Sequence, residues 1–203
     1  MKIAIVGATG NVGQRLTAEA LSRGHEVTAI ARNTSSLEGR SDIKVVQADI
    51  CDEQAAAKAL AGQDVAIVSV RFQGTDFDCL VNAVKKSGVP RVLFVGGAAS
   101  LEIAPGQVLL DQPDFPDFIK PEATPARAAL DELRQEKELD WTFLSPSVFF
   151  GPGERTGKFR LGKDQLLTAD DGKSHISYED YSVAMLDEIE TPKHHRERFT
   201  VGY

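Results

Sequence analysis

The sequence predicts an α/β fold, a doubly wound parallel sheet with helices on both faces. Short apolar runs alternate with helix-like patterns from the N-terminus to about residue 100, which is typical of parallel strands joined by crossover helices. These runs are continuously apolar, as expected for strands that are covered on both faces. Because 203 residues are enough for one domain, we expect a single unit, 1–203, that carries a small additional lobe.

The first strand–turn–helix–strand unit is the most informative stretch. The strand Lys2–Val6 runs directly into a glycine-rich turn, Gly7–Gly13, and a helical pattern follows. Gly7 allows a tight turn, Gly10 leaves space for a pyrophosphate, and Gly13 lets the helix pack closely on the sheet. The free N–H groups at the start of the helix favour phosphate oxygens. We therefore predict that this unit binds a dinucleotide, as in Rossmann-type folds.

The remaining elements follow from the same patterns. Further strands are predicted at Val27–Ala31, Ile43–Gln47, Asp64–Val70, Arg91–Val95, Asp140–Ser145 and Phe199–Val201, and helices at Glu53–Leu60, Asp76–Ser87, Ala126–Lys137 and Tyr178–Ile189. We expect the strand order 3-2-1-4-5, with the later strands added at the end of the sheet.

The amino-acid composition of the chain changes at Leu101. Residues 101–125 contain five prolines and several aspartates, so no long regular element is expected there. Together with residues 146–176, this segment is predicted to form a small substrate lobe, and a short hairpin is expected at Lys158–Leu167. We expect 101–125 to fold over the cofactor crevice as a lid or a wall, because it leaves the fifth strand where a nicotinamide would lie.

The residue after the second strand distinguishes the two dinucleotides. An acidic side chain there would bind both ribose hydroxyls of NAD, but this chain has Arg32-Asn33 and no acid before Glu38. The planar, permanently charged guanidinium of Arg32 suits a 2′-phosphate, and Arg15 in the first helix is placed to add to it. The alternative is that Arg32 is a solvated surface side chain. We expect NADP, with NAD possible.

The predicted cofactor contacts lie where strands end, since ligands of open α/β sheets bind beyond the carboxyl ends of the strands. In Gly96-Gly97, the missing side chains would let a flat ring approach the backbone, or else would only relieve a tight exit from the strand. The full set of predicted contacts is Gly7, Thr9, Gly10, Asn11, Val12, Gly13, Arg32, Asn33, Asp49, Ile50, Val70, Arg71, Gly96, Gly97 and Pro146.

Composition excludes several other classes of function. The net charge of −7 argues against a nucleic-acid surface, and no apolar stretch is long enough to span a membrane. Cys51 and Cys79 have no Cys or His at metal-ligand spacing, so no metal site is expected. Neither cysteine suggests a disulfide framework, which fits a reducing compartment. We expect a cytoplasmic protein, a monomer or a homodimer, that binds a small-molecule acceptor.

Several motifs resemble one protein family. These are GATGNVG at 7–13, ARN at 31–33, GGAAS at 96–100, LSPSVFFGPGERTGKFR at 144–160, ISYEDYSVAMLDEIE at 176–190 and RFTVGY at 198–203. Together they resemble an atypical, NmrA-like short-chain dehydrogenase/reductase over the full length of the chain. Within that superfamily the sequence is most similar to small proteins named NADH-flavin reductases. More distant resemblances are to biliverdin/flavin reductases and to redox-sensing regulators. The resemblance implies a Rossmann-type fold and an NAD(P)H-dependent reductase.

The sequence departs from the superfamily at its usual active site, a tyrosine four residues before a lysine. The tyrosines are Tyr178, Tyr181 and Tyr203, and Ser182 and Met185 stand four residues after the first two. Alcohol–ketone chemistry is therefore disfavoured, because no phenol–lysine pair can supply a proton. Flavin reduction remains open, since a flavin ring accepts hydride at nitrogen and takes its proton from water.

Two functions remain open at this stage. As an enzyme, the protein would pass a hydride from NADPH to a flavin, a quinone or a similar flat acceptor. Ser100 and Arg71 are then the candidate catalytic residues, and Phe72, Pro146 and Phe149 are further acceptor contacts. As a non-catalytic sensor, it would bind the dinucleotide and report redox state to a protein partner. Ser100 has an alternative role as a turn cap, and Phe149 as a core residue.

Overall fold

The computed structural model describes all residues, 1–203, and is built around one eight-stranded sheet. The strands are β1 (Lys2–Val6), β2 (Glu26–Ala31), β3 (Lys44–Gln47), β4 (Val65–Val68), β5 (Arg91–Val95), β6 (Glu102–Ala104), β7 (Gln107–Val108), β8 (Asp140–Ser145), β9 (Phe149–Gly151), β10 (Arg160–Gly162), β11 (His175–Ser177) and β12 (Glu197–Gly202). The helices are α1 (Asn11–Ser22), α2 (Glu53–Leu60), α3 (Phe77–Ser87), α4 (Lys120–Leu133) and α5 (Tyr178–Glu190).

The main sheet has the order β3-β2-β1-β4-β5-β8-β12-β10, which confirms the predicted 3-2-1-4-5 arrangement with later strands added. Every pair in it is parallel except β10 with β12. Apolar side chains of α1 and α5 form the core on one face, and those of α2, α3 and α4 form the core on the other. The doubly wound Rossmann-type fold is therefore confirmed, and both faces of the sheet are covered.

Helix α4 corrects the prediction of a helix at Ala126–Lys137. It begins at Lys120 and ends at Leu133, so that Pro121 lies in its first turn and Pro125 lies inside it. Proline is tolerated in a first turn because the amides there have no partner within the helix. The early end follows from a turn in which the carboxylate of Glu136 accepts the N–H groups of residues 138 and 139.

The hairpin predicted at Lys158–Leu167 is wrong. Only β10 is a strand in this segment, and it pairs antiparallel with β12, so that Leu161 faces Val201. The partner lies forty positions further along the chain, and a local pattern does not reveal such a pairing. Gly162 lies close to Leu167 and Thr200, where a Cβ atom would come within 3.2 Å of both side chains.

Residues 101–119 contain short elements only, whereas residues 120–125 belong to α4, so the expectation that 101–125 holds no long regular element is wrong at its end. A small hairpin of β6 and β7 turns at Gly106, whose φ of 74° favours glycine. A second two-stranded sheet, β9 with β11, lies in the other part of the predicted lobe. No helix of the chain is long and apolar enough to cross a membrane.

Candidate cofactor and acceptor site

The three glycines of the turn after β1 differ in how much room they leave for a side chain. Gly7 has a φ of 81°, and a Cβ atom there would lie 2.0 Å from the carbonyl oxygen of Ser69. At Gly13 a Cβ atom would lie 2.2 Å from the carbonyl oxygen of Gly7. Gly10 is exposed, and a Cβ atom there would lie 3.3 Å from the carbonyl oxygen of Gly7. Gly7 and Gly13 therefore shape the turn, whereas Gly10 keeps its outer surface bare.

Helix α1 begins at this bare surface without a side-chain cap. Its N-cap residue is Gly10, which has no side chain to accept from the first-turn amides, and the first turn has no acidic residue. The unpaired N–H groups and the positive end of the helix dipole are then available to an anion. This arrangement fits a pyrophosphate, which needs both close approach to the backbone and several N–H donors.

A cavity of about 390 Å³ lies next to the turn, at the carboxyl ends of β1, β4, β5 and β8. It is mostly apolar, and the small lobe closes one side of it. Eight of the predicted contacts line this cavity: Gly10, Asn11, Val12, Val70, Arg71, Gly96, Gly97 and Pro146. Gly7, Thr9 and Gly13 belong to the turn without lining the cavity. That all of these residues bind the dinucleotide stays a prediction.

The residues predicted to hold the adenosine end lie apart from this cavity, after β2 and β3. The side chain of Arg32 is exposed and makes no hydrogen bond, while its carbonyl oxygen accepts from Gln47. Asn33 Oδ1 accepts from the amide of Ser35, and Asp49 Oδ1 accepts from the amide of residue 51, so both side chains are used in local turns. Ile50 is buried, with 7% of its surface exposed. Of these side chains, that of Arg32 is the one left available for a phosphate.

Arg15 is engaged with the neighbouring helix α5, and its predicted supporting role beside Arg32 stays a prediction. Its Nε donates to Glu179 Oε1 at 3.1 Å, and its guanidinium lies over the ring of Tyr178, 5.8 Å from the centroid. Both partners belong to α5, which packs beside α1. The helix pairing therefore holds the Arg15 side chain against α5.

Ser100 does not reach the cavity, which corrects its prediction as a catalytic residue. The chain turns after β5, where the amide of Leu101 donates to the carbonyl of Ala98 at 2.9 Å. Ser100 Oγ then accepts from Arg198 at 3.3 Å, and its carbonyl oxygen accepts from the same guanidinium at 3.4 Å. The side chain of Arg198 is 2% exposed and is paired with Asp164. Ser100 thus helps to hold a buried arginine beneath the lobe.

Arg71 lies at the edge of the cavity with 81% of its side chain exposed. Its Nε is 3.7 Å from Glu122 Oε2, the nearest opposite charge. Glu122 lines the cavity too. It is not among the predicted site residues, because the sequence pattern predicts that the helix begins at Ala126, whereas α4 begins at Lys120. Arg71 remains a candidate for contact with the acceptor.

The two glycines after β5 have different roles. At Gly96 a Cβ atom would lie 2.2 Å from the ring of Phe143, so this glycine makes room for core packing. At Gly97 the nearest atom to such a Cβ is that of Ala126, at 3.9 Å, so its face is open to the cavity. The close approach of a flat ring is therefore possible at Gly97, whereas position 96 is occupied by a glycine because the ring of Phe143 packs against it.

The aromatic residues that were predicted to contact the acceptor differ in whether they line the cavity. Phe72 lines the cavity and packs on Phe143, with 6.1 Å between ring centroids. Phe149 is 66% exposed and does not line the cavity, and Phe150 lines it instead. Consecutive residues of a strand point to opposite faces, so pairing of β9 with β11 turns Phe149 outward. The prediction of Phe149 as a contact within this cavity is corrected.

The proline-rich segment supplies the apolar wall opposite the sheet. Leu109, Phe115 and Ile119 line the cavity, and Ala123 and Ala126 continue the wall on α4. Phe115 packs with Ala99 and Ala123 in a small core of its own. The segment is thus a wall of the cavity in this structure, and its movement on ligand binding stays a prediction.

None of the three tyrosines lines the cavity. Tyr181 is fully buried and donates to the carbonyl oxygen of Leu144 at 2.7 Å, and burial raises the pKa of its phenol well above the usual range. Burial also raises the pKa of Tyr203, whose hydroxyl lies 2.8 Å from Asp180 Oδ2. Tyr178 packs edge-on against Phe150. No phenol is therefore placed to act as an acid on a bound acceptor.

The fold, the bare glycine turn and the uncapped helix define a Rossmann-type nucleotide-binding protein. Residues 7–192 match the NAD(P)H-binding family, and the chain belongs to that family. It is 39% identical over 215 aligned residues to YwnB, an uncharacterised protein of Bacillus subtilis, with 99% of this chain and 98% of YwnB covered.

Two solved structures are similar over the whole chain. One is a Bacteroides thetaiotaomicron protein provisionally named an epimerase, 43% identical with a TM-score of 0.94, which covers 100% of this chain and 96% of that one. The other is a Streptococcus pneumoniae protein provisionally named an NADH-flavin reductase, 35% identical with a TM-score of 0.87, which covers 100% of this chain and 99% of that one. The two names disagree about the reaction.

Proposed function

We propose that this protein is an NADPH-dependent reductase that passes a hydride to a flat acceptor, a flavin or a quinone. The observation that carries the proposal is the mainly apolar cavity beside the glycine turn, which has an open backbone face at Gly97 and no phenol in its lining. Bound NADPH would supply the hydride. The residues of this chain would bind, orient and shield the two reactants.

The fit of a dinucleotide rests on the turn. The exposed backbone at Gly10 and the uncapped start of α1 offer the pyrophosphate space and N–H donors. From there the carboxyl ends of the strands lead in two directions, toward Arg32 on one side and toward Gly97 and Pro146 on the other. The adenosine end would lie on the first side and the nicotinamide on the second.

The preference for NADPH over NADH rests on Arg32. Its guanidinium is exposed and unpaired at the end of β2, where an NAD-specific protein would present a carboxylate. A 2′-phosphate would gain a charge-assisted hydrogen bond there, whereas NADH would gain nothing from the same side chain.

A flat apolar acceptor fits the wall made by Leu109, Phe115 and Ile119. Such a wall excludes water from one side of the ring and offers no hydrogen-bond partner of its own. The ring nitrogen of a flavin or the oxygen of a quinone can take its proton from water at the cavity mouth, so a protein acid is dispensable.

The same argument favours reduction over epimerisation. An epimerase that works through a bound dinucleotide has to remove a proton from a hydroxyl group, and this requires a base beside the nicotinamide. The tyrosines lie elsewhere, and both oxygens of Glu122 accept backbone N–H groups, at 2.7 and 3.0 Å.

A cytoplasmic location and a monomeric or homodimeric state stay predictions.

Acceptor-dependent oxidation of NADPH by purified protein tests the proposal. FMN, riboflavin and menadione serve as acceptors, and a simple ketone and a nucleotide sugar serve as controls. We expect turnover with at least one flavin or quinone, and none with the ketone or the sugar. Tight NADPH binding without turnover of any acceptor would contradict the reductase and favour the non-catalytic sensor.

A further inference from the structure

The two cysteines of the chain meet in the fold, although they are 28 residues apart in sequence. The Sγ atom of Cys79 lies 2.9 Å from the carbonyl oxygen of Cys51. Cys51 lies in the turn between β3 and α2, and Cys79 lies in the first turn of α3.

Helix caps fix the backbone on both sides of this contact. The side chain of Asp49 accepts the amide of Cys51 at 2.9 Å, and the side chain of Asp52 caps the start of α2. The side chain of Asp76 accepts the amide of Cys79 at 3.0 Å and caps α3. The Cys79 thiol is thus held against the backbone of Cys51 by the packing of the two helix starts, which places the two cysteines next to each other.

The two cysteines differ in their exposure to solvent. Cys51 is exposed, while Cys79 is half-buried. Burial raises the pKa of the Cys79 thiol, and contact with Cys51 raises it further. Because the thiolate is the form that reacts with an oxidant, the exposed Cys51 is the first target, and Cys79 is the partner that resolves the product.

We propose that Cys51 and Cys79 form a reversible disulfide when the protein meets a peroxide. In the first step the Cys51 sulfur attacks hydrogen peroxide, the O–O bond breaks, and a sulfenic acid and one water are formed. In the second step the Cys79 sulfur attacks that sulfenic sulfur, the S–O bond breaks, and a second water leaves as the S–S bond forms. Peroxide is thereby reduced by two electrons and the thiol pair is oxidised by two.

The position of the pair gives this oxidation a consequence for the cofactor. Cys51 directly follows Asp49 and Ile50, which are predicted to contact the adenosine end of the dinucleotide. A covalent bond to α3 would fix the end of this loop in a new position and would lower affinity for NADPH. This consequence rests on the proposed function, whereas the disulfide itself does not.

Intact-mass measurement after treatment with hydrogen peroxide tests the disulfide without any cofactor. We expect the wild type to lose the mass of two hydrogen atoms and to regain it with dithiothreitol. Cys79→Ser should keep a sulfenic acid at residue 51 that dimedone traps, and Cys51→Ser should give no such adduct at residue 79. Two free thiols in peroxide-treated wild type, or dimedone labelling of residue 79 alone, would overturn the proposal.

Calorimetry with NADPH then tests the consequence. We expect the oxidised wild type to bind several-fold more weakly than the reduced protein, and the Cys51→Ser variant to be unaffected by peroxide. Equal affinity of the oxidised and reduced wild type would overturn the regulatory consequence. If the reduced protein fails to bind NADPH while the mass change occurs, the proposed function fails and the disulfide stands.

Discussion

The carboxylate of Glu122 accepts a hydrogen bond of 2.7 Å from the backbone N–H of Phe72. Its second oxygen accepts from the N–H of Gln73 at 3.0 Å. Glu122 lies in the first turn of α4 and Phe72 follows β4, so one side chain joins the small lobe to the sheet. Because both residues line the cavity, this link sets the distance between its apolar wall and the strand ends.

Replacing Glu122 should therefore weaken the fold and the acceptor site together. Glu122→Ala leaves two amides without their charged acceptor, and we expect the free energy of unfolding to fall by about 1.5–3 kcal/mol. The KM for the acceptor should rise more than kcat falls. Urea denaturation and steady-state kinetics measure these two effects. Glu138→Ala is a matched control, because that glutamate side chain is 79% exposed. If Glu122→Ala lowers the free energy of unfolding by no more than Glu138→Ala does, the link between lobe and sheet is contradicted.

The glycine turn allows a test that separates binding from folding. Gly10→Val places a side chain on the exposed surface beside α1, where a Cβ atom lies 3.3 Å from the carbonyl oxygen of Gly7 and the turn has to shift slightly. We expect a protein that still folds, with a small loss of stability, and that no longer binds NADPH. Gly13→Ala places a Cβ atom 2.2 Å from the carbonyl oxygen of Gly7, so the fold itself should be destabilised. Thermal melting and calorimetry distinguish the two. Unimpaired NADPH binding by Gly10→Val would place the cofactor elsewhere.

The choice of dinucleotide is tested at Arg32. Arg32→Ala should weaken NADPH by about 1.5–3 kcal/mol, the worth of a hydrogen bond to a charged group, and leave NADH nearly unchanged. Arg40→Ala is a suitable control, since Arg40 is already paired with Asp42 at 2.6 Å. Calorimetric titration of both variants with both dinucleotides gives the comparison. Equal losses for NADPH and NADH would show that Arg32 does not recognise a 2′-phosphate.

Glu132 predicts a particular dependence of stability on pH. Burial, together with the nearby carboxylate of Asp78, raises the pKa of Glu132 from 4.5 to about 7. The folded state therefore holds a proton that the unfolded state releases, and this carboxyl favours folding at low pH. Its contribution falls as pH rises from about 4.5 to about 7 and is constant above that range.

Glu132→Gln should remove that component. We expect the difference in unfolding free energy between pH 5 and pH 8 to shift in favour of the higher pH, relative to wild type. Asp78→Asn is the companion variant, because it removes the repelling charge and should shift the stability profile in the same direction by a smaller amount. Urea denaturation across this range measures both. An unchanged pH profile in Glu132→Gln would contradict the raised pKa.

Much of the fold could be predicted because its first half depends on local patterns. The strand Lys2–Val6, the helix Glu53–Leu60 and the strand Arg91–Val95 lie where periodicity and turn residues place them. The two failures have different causes. The antiparallel pairing of Arg160–Gly162 depends on the last strand, and the start of α4 depends on a proline that is tolerated in a first turn.

The candidate site, like the fold, was predicted where local sequence patterns decide and missed where contacts distant in sequence decide. Gly97 has the open face that its motif predicted, and Gly10 is exposed, although a Cβ atom there would lie 3.3 Å from the carbonyl oxygen of Gly7. Ser100 followed the fifth strand just as Gly97 did, but a buried guanidinium in β12 holds it away from the cavity. Glu122 could not be found from the sequence, since its role comes from contact with a loop fifty positions earlier. Strand ends predict which loops meet, but tertiary contacts decide which side chains reach the ligand.

Hydride transfer in a single turnover tests the central claim most directly. The protein is first loaded with NADPH that carries deuterium on one face of nicotinamide C4, and it is then mixed with saturating FMN. The experiment is repeated with NADPH that carries deuterium on the other face of C4. We predict acceptor-dependent oxidation that is slowed by deuterium on one face only, because a fixed cavity presents one face of the ring to the acceptor. Absence of oxidation with FMN and with menadione, or equal rates with both deuterated forms, would contradict the account.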